Sequence, residues 1–365
     1  MLETSIMRIL HVITSLYIGG AERLLVDMLP RLSDGGNNQI ELLLLNGVET
    51  QFKKKLKQSD VKIHSLSMTN DVYNPKKLLG VRRFLSHNRF DIIHTHNTAC
   101  QFFVPLARVL APHAGKLVTT EHSSNNRRRD KRWLRPVDRW MYNRYDAIIC
   151  ISDPTRISLE GYIGKQVNLV TIYNGVDVDS FLRPIKDIAG QERFVITMVA
   201  GSRPEKDHET LLRAMTHLPD NYRLQLVGAG PRDKELKEYT SGLGLNDRVA
   251  FLGVRSDVPD VLEQSDVAVL SSHWEGFGLS AVEGMASGRP FVASDVNGLN
   301  EVVGDAGVLF PHGDDKALAE KIQWLCEHPD EYHEVACRCQ EKARHYDISV
   351  TIDKYLELYN ELYGA

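Results

Sequence analysis

Short apolar runs alternate with amphipathic stretches along nearly the whole chain, and a chain patterned this way has few folds open to it. In the first half the runs are Arg8–Thr14, Gln39–Leu45, Ile63–Leu66, Ile92–Thr95, Lys116–Thr120, Ala147–Ile151 and Leu169–Ile172. Between several of them lie helical patterns such as Ala21–Leu32 and Lys76–Asn88. Continuous apolar runs of strand length, separated by helices, imply a mostly parallel sheet covered on both faces. After a polar stretch, Arg183–Glu192, the pattern restarts at Phe194–Ala200, Tyr222–Val227, Val249–Phe251, Val267–Leu270, Phe291–Ser294 and Gly307–Phe310. The expected fold class is therefore α/β: two Rossmann-like domains, 1–184 and 185–345, facing each other across a cleft. A further helix, 346–365, follows them. Sheets of this kind bind ligands beyond the C-terminal ends of their strands.

At 365 residues, two domains each have room for a core. The net charge of −4 hides a cancellation: residues 1–185 carry 26 Lys+Arg against 17 Asp+Glu, and residues 186–365 carry 18 against 31. A basic half and an acidic half call for a partner of matching sign. Five cysteines without a CxxC pair suit a reduced, cytoplasmic chain. The apolar stretch Ile9–Ile18 holds His11, Thr14 and Ser15 and runs into Gly19-Gly20, so it reads as a buried strand and not a signal peptide. No apolar run reaches the ~20 residues that a membrane span needs.

The segment 266–301 is the most informative. A strand, Val267–Leu270, leads into a loop, Ser271-Ser272-His273-Trp274-Glu275-Gly276-Phe277-Gly278, and a helix follows to Ser287 before Gly288 stops it. The N–H groups of Phe277, Gly278 and Leu279 then open a helix N-terminus, a geometry suited to phosphate. Glu275 in the loop and Glu283 in the helix are carboxylates fit to accept sugar or ribose hydroxyls.

The run from Glu275 to Ser294 resembles the E-x7-E region of the retaining, nucleotide-sugar-dependent glycosyltransferases of family 4, which have the GT-B fold. The resemblance extends in order along nearly the whole chain. It includes Gly19-Gly20-Ala21-Glu22, Asp91-Ile-Ile-His94-Thr-His96, Thr119-Thr-Glu121-His122, Tyr173-Asn-Gly-Val-Asp177, Pro204-Glu-Lys206-Asp-His, Leu226-Val-Gly-Ala-Gly230, Phe251-Leu-Gly-Val-Arg255 and Asn297-Gly-Leu-Asn-Glu301. It implies that the C-terminal helix crosses back to the first domain. By position, Glu275 stands near the donor sugar, Glu283 holds the ribose hydroxyls, and Phe277, Gly278 and Leu279 give backbone contacts to diphosphate and sugar. Lys206 meets the diphosphate and can replace a metal ion as the leaving group gains charge. Gly19 and Gly20 allow close approach in the first loop, Gly228 joins the nucleotide-sugar set, and His122 sits at the sugar. The resemblance thus implies a metal-independent hexosyltransferase with no cofactor beyond its nucleotide diphosphate sugar, UDP-linked by expectation. The family's usual Arg, five residues before the Lys, is here Gly201; either Arg203 reaches the diphosphate from a reshaped loop, which is the expectation, or the site has one fewer cation.

For the acceptor the candidates are Glu22, His96, Arg127 and Arg128. His94 and His96 alternate about Thr95, and His96 is taken to face the cleft while His94 turns to core or helix. His208 reads as a loop or capping residue, and His312, His328, His333 and His345 as surface. No HExxH or similarly spaced set argues for zinc, and Gly228-Ala-Gly230-Pro lacks the third glycine of a dinucleotide fingerprint. Arg127–Trp140 interleaves Trp133, Leu134, Val137 and Trp140 with basic residues. On a helix 133, 137 and 140 share a face, which suits an anionic membrane surface; alternatively the tryptophans pack in the core, or Arg127–Arg129 bind an acceptor phosphate. Lys53, Lys54, Lys55 and Lys57 add charge to the same half. Nucleic acid is not expected, as no stacking sheet or helix-turn-helix accompanies the patch. The expected activity is hexose (or N-acetylhexosamine) transfer to a lipid-linked or growing glycan of a surface polysaccharide such as capsule or lipopolysaccharide. This would take place in the cytoplasm, at the inner membrane face where the acceptor is a lipid. Two other readings fit these residues: a nucleotide-sugar epimerase of similar fold, and a non-catalytic nucleotide-sugar-binding protein.

Overall fold

A computed structural model describes residues 6–17, 19–33, 38–110, 115–123, 129, 131–164 and 168–364. The chain divides into two compact units, Met1–Gly175 with Ile348–Ala365, and Val176–Asp347. Each is built on one parallel sheet. In the first unit the strands are β1 (Met7–Ile13), β2 (Asn38–Leu44), β3 (Lys62–Ser65), β4 (Ile92–His96), β5 (Lys116–Glu121), β6 (Ala147–Cys150) and β7 (Leu169–Thr171), in the order β3-β2-β1-β4-β5-β6-β7. In the second they are β8 (Phe194–Val199), β9 (Tyr222–Val227), β10 (Val249–Gly253), β11 (Val267–Leu270), β12 (Phe291–Ser294) and β13 (Val308–Phe310), in the order β10-β9-β8-β11-β12-β13. All the pairings are parallel, and each apolar run of the sequence became a strand within two residues of its expected ends.

Both faces of the first sheet are buried. Leu10, Val12, Ile93, Leu117 and Ile148 face one layer of helices, while Ile9, Ile13, Ile92, Val118 and Ile149 face the other. The C-terminal helix Ile348–Tyr363 belongs to that second layer: Ile348, Ile352, Tyr355, Leu358, Tyr359 and Leu362 pack into the same cluster as Ile9 and Ile92. Their i, i+3/i+4 spacing gives the helix one apolar face, and that face covers the sheet.

The boundary between the units falls at 175/176, before the expected 184/185, and the return falls at 347/348. Packing explains the shift. The helix Val178–Phe181 buries Val178 and Phe181. Arg289, buried after Gly288, donates from Nη1 to the carbonyl of Pro184 at 2.9 Å. Residues 176–184 therefore travel with the second unit.

In both sheets the strand order reverses once, between β1 and β4 and between β8 and β11. Neighbouring crossovers leave there in opposite directions, so the loops beyond these strand ends part and leave room for a ligand. Gly228, after β9, shows how tightly the backbone runs beside such a point: its φ is +128°, and a Cβ on it would lie 2.1 Å from the Ala200 carbonyl oxygen. Gly228→Ala is expected to destabilise the second unit by roughly 1–3 kcal/mol or more through strained backbone and the forced shift of Ala200. Urea unfolding of the variant beside the parent protein measures it.

Candidate active site

In the second unit the loops after β8 and β11 are knitted together. Arg203, Pro204 and Glu205 lead through a single 3-10 turn to Lys206, and Asp207 follows with φ +46° to cap the helix His208–His217. Ser271 Oγ donates to the Asp207 carbonyl at 2.8 Å, and the His273 amide donates to the Glu205 carbonyl at 2.8 Å. These contacts bring Lys206 Nζ onto Glu275 Oε1, which also accepts from Ser272 Oγ at 2.8 Å. Lys206 and Glu275 are thus partners, a pairing that the sequence does not announce because 69 positions separate them.

Gly278 opens the helix Leu279–Ala286 with φ +85°, and a Cβ there would meet Leu299 Cδ2 at 2.8 Å. The N–H groups of Gly278 and Leu279 have no hydrogen-bond acceptor among the described residues. Phe277 is buried against Tyr346. Glu283 lies buried in the helix. Gly298, φ +89°, brings its backbone so close to Glu275 that a Cβ would stand 2.4 Å from the Glu275 carbonyl oxygen. A lysine, a carboxylate and a helix N-terminus therefore share one loop cluster, the equipment for an anion joined to a hydroxylated group.

Arg203 is exposed, and its side chain enters no ion pair or hydrogen bond among the described residues. Gly201, the position of the missing arginine, has ordinary space around it. Arg232, also near this turn, is held by Glu209 and Glu235, and those carboxylates raise its pKa. Arg203 is thus the more available cation.

In the first unit Gly19 precedes the helix Gly20–Ser33, and a Cβ on Gly19 would lie 2.4 Å from Glu22 Oε2. Asn97, unpredicted from sequence, follows β4 with φ +68° and donates from Nδ2 to Thr14 Oγ1 (2.9 Å) and Glu22 Oε1 (3.2 Å). It ties the loops after β1 and β4 together at the strand-order reversal.

The histidines depart from expectation. His94 and His96 lie on the same face of β4, since residues two apart in a strand point the same way, and both are fully buried. His94 lies between Tyr359 Oη (2.5 Å) and Thr120 Oγ1 (2.7 Å). His96 lies between His11 Nδ1 (3.0 Å) and His122 Nε2 (3.1 Å). Burial holds His11 down to about 3 and His122 to about 4, and burial with the neighbouring rings holds His94 and His96 well below the usual value. Each ring is then neutral with one N–H, so the chain His11–His96–His122 runs in one direction. If it starts at His11, His122 carries its proton on Nδ1; if reversed, that Nδ1 is a bare acceptor. His96 thus governs the His122 tautomer from within the core. His208 is also buried, not a loop or cap residue; Asp207 is the cap, and burial lowers His208 to about 4. His312 pairs with His273 at 2.6 Å.

The basic half is less free than its composition implies. Lys53 is buried on the Gly47 carbonyl, Lys55 pairs with Asp27 at 2.7 Å, and Lys57 pairs with Glu49 at 2.9 Å. Arg127 and Arg128 lie outside the described residues. In the stretch that follows, Trp133 is 73% exposed and Val137 46% exposed, while Trp140 packs against the core. Positions 133, 137 and 140 thus do not share one face: only 135–142 form an α-helix, which buries Asp138, Met141 and Tyr142. Arg135 and Arg139 donate to the carbonyls of Tyr162 (2.7 Å) and Ile163 (3.1 Å), capping the end of the helix Asp153–Ile163.

Residues 18–180 match the model of Glycosyltransferase Family 4, and residues 182–346 match that of Glycosyl transferases group 1. A phosphatidyl-myo-inositol mannosyltransferase of Mycobacterium leprae is 30% identical over 298 residues, covering 79% of this chain and 78% of its own. The chain belongs to glycosyltransferase family 4. Among its relatives in the family, a Campylobacter jejuni N-acetylgalactosaminyltransferase that acts on a diphosphoundecaprenol-linked glycan is 24% identical, over 98% of this chain and all of its own. Among solved structures, Anabaena HepE in complex with UDP and glucose superposes with a TM-score of 0.85 at 24% identity, covering 97% of this chain and 100% of that one. That superposition gives the fold as GT-B. Among the described residues of this glycosyltransferase, no helix is long and apolar enough to cross a membrane.

The neutral histidines carry a consequence for stability. Their folded pKa values lie below the ordinary ~6.5, so the unfolded chain binds more protons as pH falls. Stability from these groups is intact above about pH 6.5 and is lost as pH drops from there toward about 4, by up to ~1.4 kcal/mol per pH unit for each histidine. Urea unfolding at pH 7.5 and 5.5 is expected to differ by several such increments. Equal stability at both values would show that these rings are charged or exposed.

Proposed function

We propose that the protein transfers a hexose or N-acetylhexosamine from a nucleotide diphosphate sugar, UDP-linked, to a lipid-linked or growing glycan, with retention at the anomeric carbon. The observation that carries this reading is the Lys206–Glu275 pair beside the start of the helix Leu279–Ala286. On this reading the donor diphosphate takes Lys206 as its cation, with Arg203 supplying a second. The unpaired N–H groups of Gly278 and Leu279 receive phosphate or sugar oxygens, and Glu283 holds the ribose. As the glycosidic bond breaks, negative charge grows on the leaving phosphate, and a fixed ammonium stabilises that charge without a metal ion in the transfer step. Glu275, released from Lys206, accepts from the sugar hydroxyls. The leaving phosphate takes the proton of the attacking acceptor hydroxyl on the same face, which gives retention. HepE was solved with UDP and glucose, and the Campylobacter relative acts on a diphosphoundecaprenol-linked glycan; these favour UDP and a lipid-linked acceptor.

In the first unit we assign the acceptor to the loops after β1 and β4, where Gly19, Gly20 and Glu22 meet Asn97. His122 offers Nδ1 to the sugar. Capsule and lipopolysaccharide are the polysaccharides such acceptors build. The exposed Trp133 and Val137, with Arg127 and Arg128 just before them, would rest on the anionic lipid that carries the acceptor.

Lys206→Ala is expected to lower kcat by ~100–1,000-fold, the magnitude of losing one charge-stabilising group at a leaving oxyanion. Arg203→Ala, expected to raise the donor KM, separates its contribution; an unchanged enzyme would remove it from the site. Lipid binding has its own readout. Trp133→Ser should reduce co-flotation with anionic liposomes while leaving transfer to a water-soluble acceptor analogue intact. Equal flotation would place the membrane contact elsewhere. Anomeric proton coupling in the product reports retention, and nucleotide-sugar turnover without acceptor would instead favour an epimerase.

A further inference from the structure

Three side chains from three loops of the second unit converge outside the set assigned above. Asp207 follows β8, His273 follows β11 and His312 follows β13. His273 Nδ1 lies 2.6 Å from His312 Nε2 and 3.5 Å from Asp207 Oδ2, and the ligand atoms of all three fall within 4.8 Å of one another. The Asp207 carboxylate is fixed by the amide (3.3 Å) and hydroxyl (2.6 Å) of Thr210. His273 is held by the hydrogen bond its backbone N–H donates to the Glu205 carbonyl and by Trp274 stacked on its ring. His312 is exposed.

Two ring nitrogens facing each other share at most one proton, and here a carboxylate oxygen stands on the same point. Two imidazoles and a carboxylate form a donor set for borderline dications. Bonds of ~2.0–2.1 Å would set ligand atoms roughly 3.3 Å apart, so the cluster needs only small adjustments, most of them at the exposed His312. His11, His94 and His96 form a second cluster of ligand atoms. That one is fully buried, most of its ring nitrogens already have hydrogen-bond partners, and no carboxylate is among the three to offset a dication.

We propose that Asp207, His273 and His312 bind a divalent transition-metal ion, with Zn2+ the best fit to an N/N/O set that leaves a position open to water. Asp207 adjoins Lys206, and His273 stands two residues before Glu275. The ion therefore clamps the two loops that carry that pair, and it takes no part in the transfer step.

The test is metal binding by the full chain, so its outcome is independent of any transferase activity. Metal-stripped protein is titrated with Zn2+ by calorimetry and with Co2+ by visible absorption. One ion per chain is expected, with Co2+ bands characteristic of nitrogen and oxygen ligands. His312→Ala and His273→Ala should each weaken binding by at least ~10-fold, with the circular dichroism of the metal-free variants unchanged. Absence of uptake at one equivalent, or uptake that survives either substitution, overturns the proposal.

Discussion

The ion pair between Lys206 and Glu275 is the contact on which the second unit's site depends. Its partners come from loops after different strands and are mostly enclosed, with 19% and 10% of the side chains exposed. Removing one partner of such a pair leaves the other charge poorly solvated, at a cost of ~3–5 kcal/mol where burial is complete. The pair therefore holds both loops in register while no ligand is bound. On the proposed function, a diphosphate would offer Lys206 more charge than one carboxylate does, so donor binding would exchange one partner for another without stripping the lysine of a counter-charge.

Both units gather their candidate site residues by the same route. A parallel sheet reverses its strand order once, and the loops beyond the reversal bring together residues far apart in sequence. Glycines set how closely those loops approach. Gly228 leaves room for the backbone carbonyl of Ala200, and Gly298 leaves room for the backbone of Glu275. Each has a steric reason visible in the fold, in addition to any contact with substrate. Arg289 shows the same dual character: within a motif shared with the family, its guanidinium spends its donors on the carbonyls of Ser265, Pro184, Ser287 and Glu263 and holds the strand connections together.

The strands were legible in the sequence because a strand buried on both faces is an unbroken apolar run, and Val267–Leu270 and Phe291–Ser294 read as nothing else. The helix that starts at Gly278 was legible because its glycines bracket it. What stayed hidden depends on contacts across loops. The His11–His96–His122 chain draws its rings from within β1, from the end of β4 and from just after β5, and no linear spacing reveals that. Period two alone places His94 and His96 on one face. The lysines at 53, 55 and 57 looked like a free patch because Glu49 and Asp27 lie outside their run. The unit boundary moved because Pro184 is anchored by Arg289, a residue more than a hundred positions away. The Asp207–His273–His312 cluster was invisible for the same reason: its ligands come from three separate loops.

On the proposed function, the second unit binds a nucleotide diphosphate sugar through its phosphates. The most direct measurement is the thermal unfolding midpoint of the unmodified protein against a panel of nucleotide sugars, free nucleoside diphosphates and free sugars. A concentration-dependent rise is expected with one class of nucleotide sugar, a comparable rise with its nucleoside diphosphate, and none with the free sugar. No rise with any nucleotide sugar or nucleoside diphosphate would contradict it.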